Sequence, residues 1–416
     1  MKTGAVLFAG CKPEVAAGPD GRIIAVGGRA RAAAGRSADV VRLRGTAGPG
    51  LIDAHIHLEG LADRHLTLEL TGQPSLEKAL ELVSQWSLRL PKDAWVVGSG
   101  WYNDAWPNPA FPTRKHLDVA AGGRPAYMHR KDGHSAWVSS AALKKAAVDR
   151  NREDPPGGVI DRDARGEPTG VRSGWGDDWL RIWGVKAFLD GSLGSRTAEM
   201  LDGSGTARLG NDDLNDMIVR CARAQLNVCL HAIGDGAVRR ALDALEPHRS
   251  AWRLWRPRIE HAQCVDPEDM KRFGRIGVIA SMQPIHAVAD RGLADQYWPK
   301  VTPNAYAWGA LERAGARLVF GSDAPVETAD PLLGIDAASN WRRRAKWHPE
   351  LSISRASAMR AYTSSAAFAV GMEADVGALN KGMLCDMTVV DGDSVVATVV
   401  GGRVSWRRKP PAASRL

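Results

Sequence analysis

Cysteine is scarce in this chain and scattered. The five residues, Cys11, Cys221, Cys229, Cys264 and Cys385, are odd in number and include no Cys-x-x-Cys. That excludes a disulfide framework and points to a reducing compartment, the cytoplasm. No apolar run reaches the length needed to cross a bilayer, so no membrane partner is expected. The short run Ala5-Val6-Leu7-Phe8-Ala9 before Gly10-Cys11 is too brief for the apolar region of a secretory signal and reads as a first strand. Charge of one sign is not concentrated either. Lys and Arg total 55 against 47 Asp and Glu, and the excess of +8 is spread out. Its densest points, Trp341 to Lys346 and Arg407-Arg408-Lys409, lack the aromatic interleaving of a nucleic-acid surface and read as solvated faces. The expected partner is a small-molecule substrate, with the mild positive field favouring anionic ones. The glycine-rich Gly191-Ser192-Leu193-Gly194 is no phosphate loop, because no Lys-Ser/Thr follows it.

At 416 residues the chain can bury a large core. Its organising stretch is Gly50-Leu51-Ile52-Asp53-Ala54-His55-Ile56-His57. Leu51 to Ile56 reads as a buried strand, and residues i and i+2 of a strand share a face. His55 and His57 can therefore reach one point, as a bound cation requires of neutral imidazoles. The other reading of an isolated His-x-His is two hydrogen-bonding residues at a strand end. The rest of the chain decides between them.

Before this stretch lie short strand patterns at Val6-Phe8, Ile23-Val26 and Val40-Leu43, and similar ones recur at Met387-Asp391, Val395-Val400 and Val404-Trp406. The two ends, 1–47 and 376–410, are expected to pair into one small β-sandwich around a central unit over 48–375. An inserted segment occupies about 90–180. An amphipathic helix is expected over Ser75 to Leu88, with strands at Trp95-Gly98 and Pro125-His129 and exposed loop from Asn151 to about Asp178. From Ile182 onward, strand patterns at Val185-Asp190, Asn227-His231, Arg258-His261, Gly277-Gln283 and Arg317-Asp323 alternate with helical ones. Repeated βα units imply parallel strands, with function gathered at their C-terminal ends. Lys186, His231, His261 and Asp323 all fall at or near such ends, as do His55 and His57. So many separate coincidences favour a metal site.

This ordered set resembles the amidohydrolase superfamily of (β/α) barrels. The surrounding text narrows the likeness: Trp101-Tyr102-Asn103-Asp104, Asp132-Gly133-His134-Ser135, Val185 to Ala198, His231-Ala232-Ile233-Gly234-Asp235, Ile259-Glu260-His261-Ala262 and Gly321-Ser322-Asp323-Ala324-Pro325. These are similar to the amidohydrolase-3 branch, to which N-substituted formamide deformylase belongs. The resemblance implies an α/β protein with a TIM-like (β/α) barrel. It implies a hydrolase of C–N bonds outside peptide chains, using one or two divalent ions, zinc first among them. His55 and His57 would bind one ion and His231 and His261 the other. Lys186 would match the family lysine that carbon dioxide converts to a bridging carbamate, since a bare ammonium only donates and cannot ligate a cation. Asp323 would touch the first ion and serve as general base. His134, Arg196, Gln283, His286 and Trp101 are candidates for substrate contact. Asp235 is a candidate for orienting a metal-bound His.

Two departures from the family pattern matter. Between Gly170 and Val185, family members carry further helix and strand units, whereas here Val171 to Gly184 fills the gap. Either the barrel lacks one or two βα units, or the strands at 95–98 and 125–129 stand in for them. An open barrel exposes strand edges, which a second copy in a homodimer would cover. The other departure is Ser139, where the family commonly has Asn, and it bears on substrate preference. A degenerate homologue kept as a binding or assembly protein is the alternative function.

Overall fold

The structure, a computed structural model, describes residues 4–58, 67–91, 93–110, 112–131, 136–145, 175–176 and 181–408. His134 and nearly all of the loop expected from Asn151 to Asp178 lie outside the described residues.

The two ends of the chain do meet. Strands β1 (Val6–Lys12), β2 (Val15–Ala17), β3 (Ile23–Val26) and β4 (Asp39–Pro49) join β16 (Met387–Asp391), β17 (Ser394–Val400) and β18 (Arg403–Arg407). The order is β18-β17-β16-β4-β1-β2-β3, and hydrogen bonds link all seven into one sheet. The closing pair is antiparallel, with Met387 opposite Pro49 and Val390 opposite Thr46. Alternation along β1 sends neighbouring side chains to opposite faces. Phe8 joins a core with Leu43, Met387, Val389 and Val399, while Leu7 and Ala9 pack with Ala30 and Ala34.

A second sheet has its own core. It runs β5 (Leu68–Glu69), β6 (Val96–Trp101), β7 (Ala126–Arg130), β8 (Ala136–Val138) in that order. The helix Leu76–Arg89 covers it, and Ser75 starts that helix by accepting from the Lys78 amide. Its Ala79 and Val83 are buried with Leu68, Val96, Leu117, Met128 and Trp137. The strands expected at 95–98 and 125–129 therefore pair with each other, parallel, and do not fill gaps in the main sheet. Ser139 belongs to this unit too. Its hydroxyl accepts from the Ala126 amide at 2.8 Å and donates to the Arg124 carbonyl at 3.0 Å, which is work within the sheet.

The third sheet is all parallel: β11 (Gly184–Phe188), β12 (Asn227–Ala232), β13 (Arg258–His261), β14 (Ile279–Met282) and β15 (Arg317–Phe320), adjacent in sequence order. All six residues of β12 are buried, as expected for strands covered by helices. Those helices include Asn211–Ala224, Asp235–Leu245 and Pro267–Ile276. The last is started by the Asp266 side chain and Pro267, and ended by Gly277 at φ 73°. Pro284–Tyr297 is a further helix that the periodicity did not predict. Between the second and third sheets, β9 (Trp175–Gly176) and β10 (Arg181–Ile182) form a short antiparallel pair.

The stretch 51–57 is partly buried, bends at Ala54–His55 and forms no regular ladder strand, so the strand expected over Leu51 to Ile56 is not formed. It lies along the end of β15. The Ala54 amide donates to Phe320 O, the Asp323 amide to His55 O and the His57 amide to Ala324 O. Gly321 makes this approach possible, because a Cβ there would sit 2.5 Å from the His55 nitrogen. The basic run at 341–346 is not a simple solvated face. Arg342 is fully buried, donates to Ala305 O and Tyr306 O, and stacks on Trp308 and Trp347.

Candidate metal centre

His55, His57, His231, His261 and Asp323 come together at the C-terminal ends of the parallel strands and the stretch beside them. His55 Nε2 lies 3.1 Å from Asp323 Oδ1, and His57 Nε2 lies 3.0 Å from the same oxygen. The ring of His261 is 5.0 Å from that of His55 and 4.5 Å from that of His231, centre to centre. His286, expected only as a substrate contact, is inside the cluster: its Nε2 is 3.0 Å from Asp323 Oδ2. Ligand atoms of His55, His57 and Asp323 lie within 4.8 Å of one another, and so do those of His261, His286 and Asp323. All except His57 are buried.

Local backbone holds this arrangement. Asp323 (φ 58°) and His261 (φ 74°) both occupy the left-handed region, which non-glycine residues seldom adopt. Such outliers collect at functional sites, where the surroundings over-determine them. Asp53 accepts from the amides of both His55 and Ser322, pinning the first histidine to the loop that carries Asp323. His231 Nε2 donates to Gly191 O at 2.9 Å. Asp190 in turn accepts from the amides of Glu199, Ile233 and Gly234, fixing the loops on either side of His231. Asp190 and Glu260 were not singled out from sequence. Asp235, expected to orient a histidine, accepts from the Leu201 amide instead.

The electrostatics suit a cation. Burial alone would raise the Asp323 pKa, but His286, His55 and His57 outweigh it and hold the carboxyl well below its usual range. Burial and the neighbouring His231 push His261 down, so its imidazole is neutral, the form that can ligate a cation. Burial opposes charging of His55 as well, yet Glu260 and Asp323 lift its pKa to about 9, so a metal at Nε2 must displace the proton that this nitrogen otherwise carries. Lys186 is pushed down by burial, against the pull of Glu260 and Asp323. Its Nζ is buried without a hydrogen bond, over the Phe188 ring at 5.2 Å. His55 Nε2, His261 Nδ1 and Asp323 Oδ1 are likewise buried and make no well-aligned hydrogen bond. Each such atom costs about 1–3 kcal/mol if nothing satisfies it. Convergent lone pairs left bare in this way fit a divalent ion, the role that histidine and carboxylate ligands serve.

A cavity of about 760 Å³ opens over the cluster. One side is lined by His57, His231, His261, His286 and Asp323, with Phe188 and Arg208 near by; the other by Val97 to Gly100, Tyr102, His129 and Lys131. Lys131 reaches across to Glu327, Nζ to Oε1 2.5 Å. The other expected contacts are placed elsewhere. Trp101 is buried in the core of the second sheet, its indole donating to Met128 O. Arg196 is exposed and stacks on Tyr297 at 4.6 Å, and Glu199 pairs with Arg240. Gln283 is buried and donates to Ser281 O. His134 lies outside the described residues.

A family model described as the amidohydrolase family, Amidohydro_3, matches residues 45–175 and 171–405. The chain belongs to the amidohydrolase family. Its relatives include a putative amidohydrolase, YtcJ, of Bacillus subtilis, 26% identical over 470 positions covering 86% of this chain and 89% of that protein. The N-substituted formamide deformylase of Arthrobacter pascens is 23% identical, with 90% of this chain and 89% of that protein covered. Among solved structures, an uncharacterized metal-dependent hydrolase of Pyrococcus furiosus is 25% identical at a TM-score of 0.66, covering 92% of this chain and 96% of its own. One from Pyrococcus horikoshii has TM-score 0.70 at 22% identity, covering 93% and 96%. A Xaa-Pro dipeptidase shares the fold at TM-score 0.52 and 15% identity, covering 97% of this chain and 100% of its own. The amidohydrolase alignment is longer than this 416-residue chain, so that relative carries segments absent here. The two pieces of the family match overlap at 171–175.

Proposed function

We propose that this member of the amidohydrolase family is a metal-dependent hydrolase of non-peptide C–N bonds in amide, N-formyl or cyclic-amide substrates. Its central unit, 48–375, would be a (β/α) barrel short of βα units, with both chain ends in the small β domain. The observation that carries the reading is the convergence of His55, His57, His261 and Asp323 on one end of a parallel sheet, with bare buried ligand atoms on His55, His261 and Asp323. His55, His57 and Asp323 would hold one ion and His231 and His261 the other. A divalent ion there, zinc first among the candidates, supplies a nucleophile at neutral pH by lowering the pKa of water from about 15.7 to near 7.

The chain's own residues do the rest. Asp323 takes the proton of the attacking water and delivers it to the leaving nitrogen, as a general base and then a general acid. His286 holds the second oxygen of that carboxylate, so Asp323 keeps one oxygen toward the histidines. Lys186 reacts most readily with carbon dioxide as a neutral amine, the form that burial favours. The resulting carbamate has the two oxygens a bridging ligand needs. The cavity wall of Val97 to Gly100, Tyr102 and Lys131 would meet the rest of the substrate. All six residues of the ligand set are retained, so a degenerate binding protein is not favoured.

The test is metal content by mass spectrometry, with turnover of an N-formyl, cyclic-amide and Xaa-Pro dipeptide panel. The expected result is stoichiometric metal and cleavage of a non-peptide member, falling by roughly 10²–10⁴-fold in Asp323→Asn. A metal-free wild-type protein, or one whose turnover survives the Asp323 change, ends the proposal. Cleavage of the dipeptide alone moves the substrate class.

A further inference from the structure

Glu260 is buried, does not line the cavity, and lies one residue before His261. Its Oε2 sits 2.7 Å from Nδ1 of His55, on the opposite edge of the ring from Asp323. A carboxylate only accepts. The contact therefore requires a proton on His55 Nδ1, and in the neutral ring that leaves Nε2 as the bare lone pair. Glu260 is itself held in place, with Oε1 3.2 Å from Nε of Arg258. The same guanidinium donates to Ala54 O at 3.1 Å. Two side chains of β13 thus reach the stretch 53–57, one gripping its backbone and the other its imidazole.

That reach matters because of what this stretch lacks. Its backbone hydrogen bonds run to the β15 side and, among the described residues, no ladder joins it to β11, which ends the parallel sheet. In a closed barrel a neighbouring strand would set its position. We infer that Glu260, backed by Arg258, is a positioning residue that locks His55 with its proton on Nδ1 and its Nε2 lone pair toward the metal position. A carboxylate on the far side of a ligating imidazole fixes its orientation and raises its basicity. The inference rests on the reading of His55 as a metal ligand.

The experiment uses the full chain, isotopically labelled at histidine, and the double variant Glu260→Leu/Arg258→Met. The double change removes both buried charges together, the substitution that most often preserves folding; circular dichroism and thermal melting confirm the fold. In the wild type, one imidazole proton assigned by its loss in His55→Asn is expected far downfield and protected from exchange, with and without zinc. The double variant loses that signal and binds zinc 10–100-fold more weakly in chelator competition. Glu260→Gln, which keeps an acceptor but no charge, falls between the two. Absence of the downfield proton in the wild type overturns the inference, as does zinc affinity within about twofold of wild type in the folded double variant. A wild-type protein that takes up no zinc overturns the metal reading of the site. The proton of the metal-free protein then still decides whether Glu260 holds His55.

Discussion

The two walls of the cavity differ in kind. One is built from β12, β13, the loop after β15 and the stretch 51–57, and its charged groups are buried and partnered with one another: Asp323 with three histidines, Glu260 with His55 and Arg258. The other comes from β6 and β7 and offers Val97, Gly98, Ser99, Tyr102 and His129 over a separate tryptophan-rich core. The first wall holds the candidate metal ligands, and a metal site demands particular atoms at particular distances. The second carries shape, which many sequences can supply. The Lys131–Glu327 pair bridges them.

If the walls are separate units, the second can be weakened without disturbing the first. Trp101 is the sharpest probe. It is 1% exposed and packs edge-on against Trp137 at 6.1 Å. Trp101→Ala is expected to cost about 3–5 kcal/mol, the price of removing a large buried aromatic. Urea unfolding should show that loss, while metal stoichiometry of the folded protein stays at the wild-type level. Metal content that falls in step with stability would show the walls to be one cooperative unit.

The same contrast explains what could be read from the sequence. His55, His57, His231, His261 and Asp323 were legible because each stands at a strand end or beside one, where a parallel fold collects function. Glu260 was not. In a regular strand, neighbours point to opposite faces, so a carboxylate beside His261 reads as facing away from the site. The left-handed backbone at His261 breaks that alternation, and nothing in composition signals it. Trp101 misled for the opposite reason: a Trp- and Pro-rich segment looks like a binding loop, but its indole completes a core. Arg342 was read as solvated from its basic neighbours, yet it alone of that run is enclosed by tryptophans and carbonyls.

A smaller effect is expected at the bridge. The side chains of Lys131 and Glu327 are 17% and 14% exposed, so their pair is partly shielded from water. Lys131→Met leaves Glu327 unpaired beside the loop that carries Asp323 without touching a metal ligand. The expected result is a KM raised by about tenfold, equivalent to 1.4 kcal/mol, with kcat altered much less. Steady-state kinetics on a substrate from the panel decide it. An equal fall in kcat and kcat/KM would mean that the bridge shapes the transition state, and the two walls could no longer be assigned separate roles.

The smallest effect concerns the cysteines, none of which lies between residues 11 and 221, so the second wall has none. All five are free and buried. Burial raises the Cys221 thiol to about 11 and Cys385 to about 12, and lifts Cys264 well above the ordinary value. The thiolate is the reactive form, so at pH 8 only roughly a thousandth of Cys221 would be ionised. The native protein is therefore expected to resist a thiol-reactive dye, with all five groups appearing on denaturation. Cys229 is the informative exception to watch. It faces Lys186 across β11 and β12, and its sulfur lies 3.2 Å from the Arg258 guanidinium. Labelling of Cys229 ahead of Cys11 and Cys385 would mean that the β11 end of the parallel sheet breathes more readily than the terminal sheet. The wall with the candidate metal ligands would then be the less stable of the two regions, despite its tighter ion pairing. Uniform protection of all five would put the weak point in the second wall, where no thiol reports.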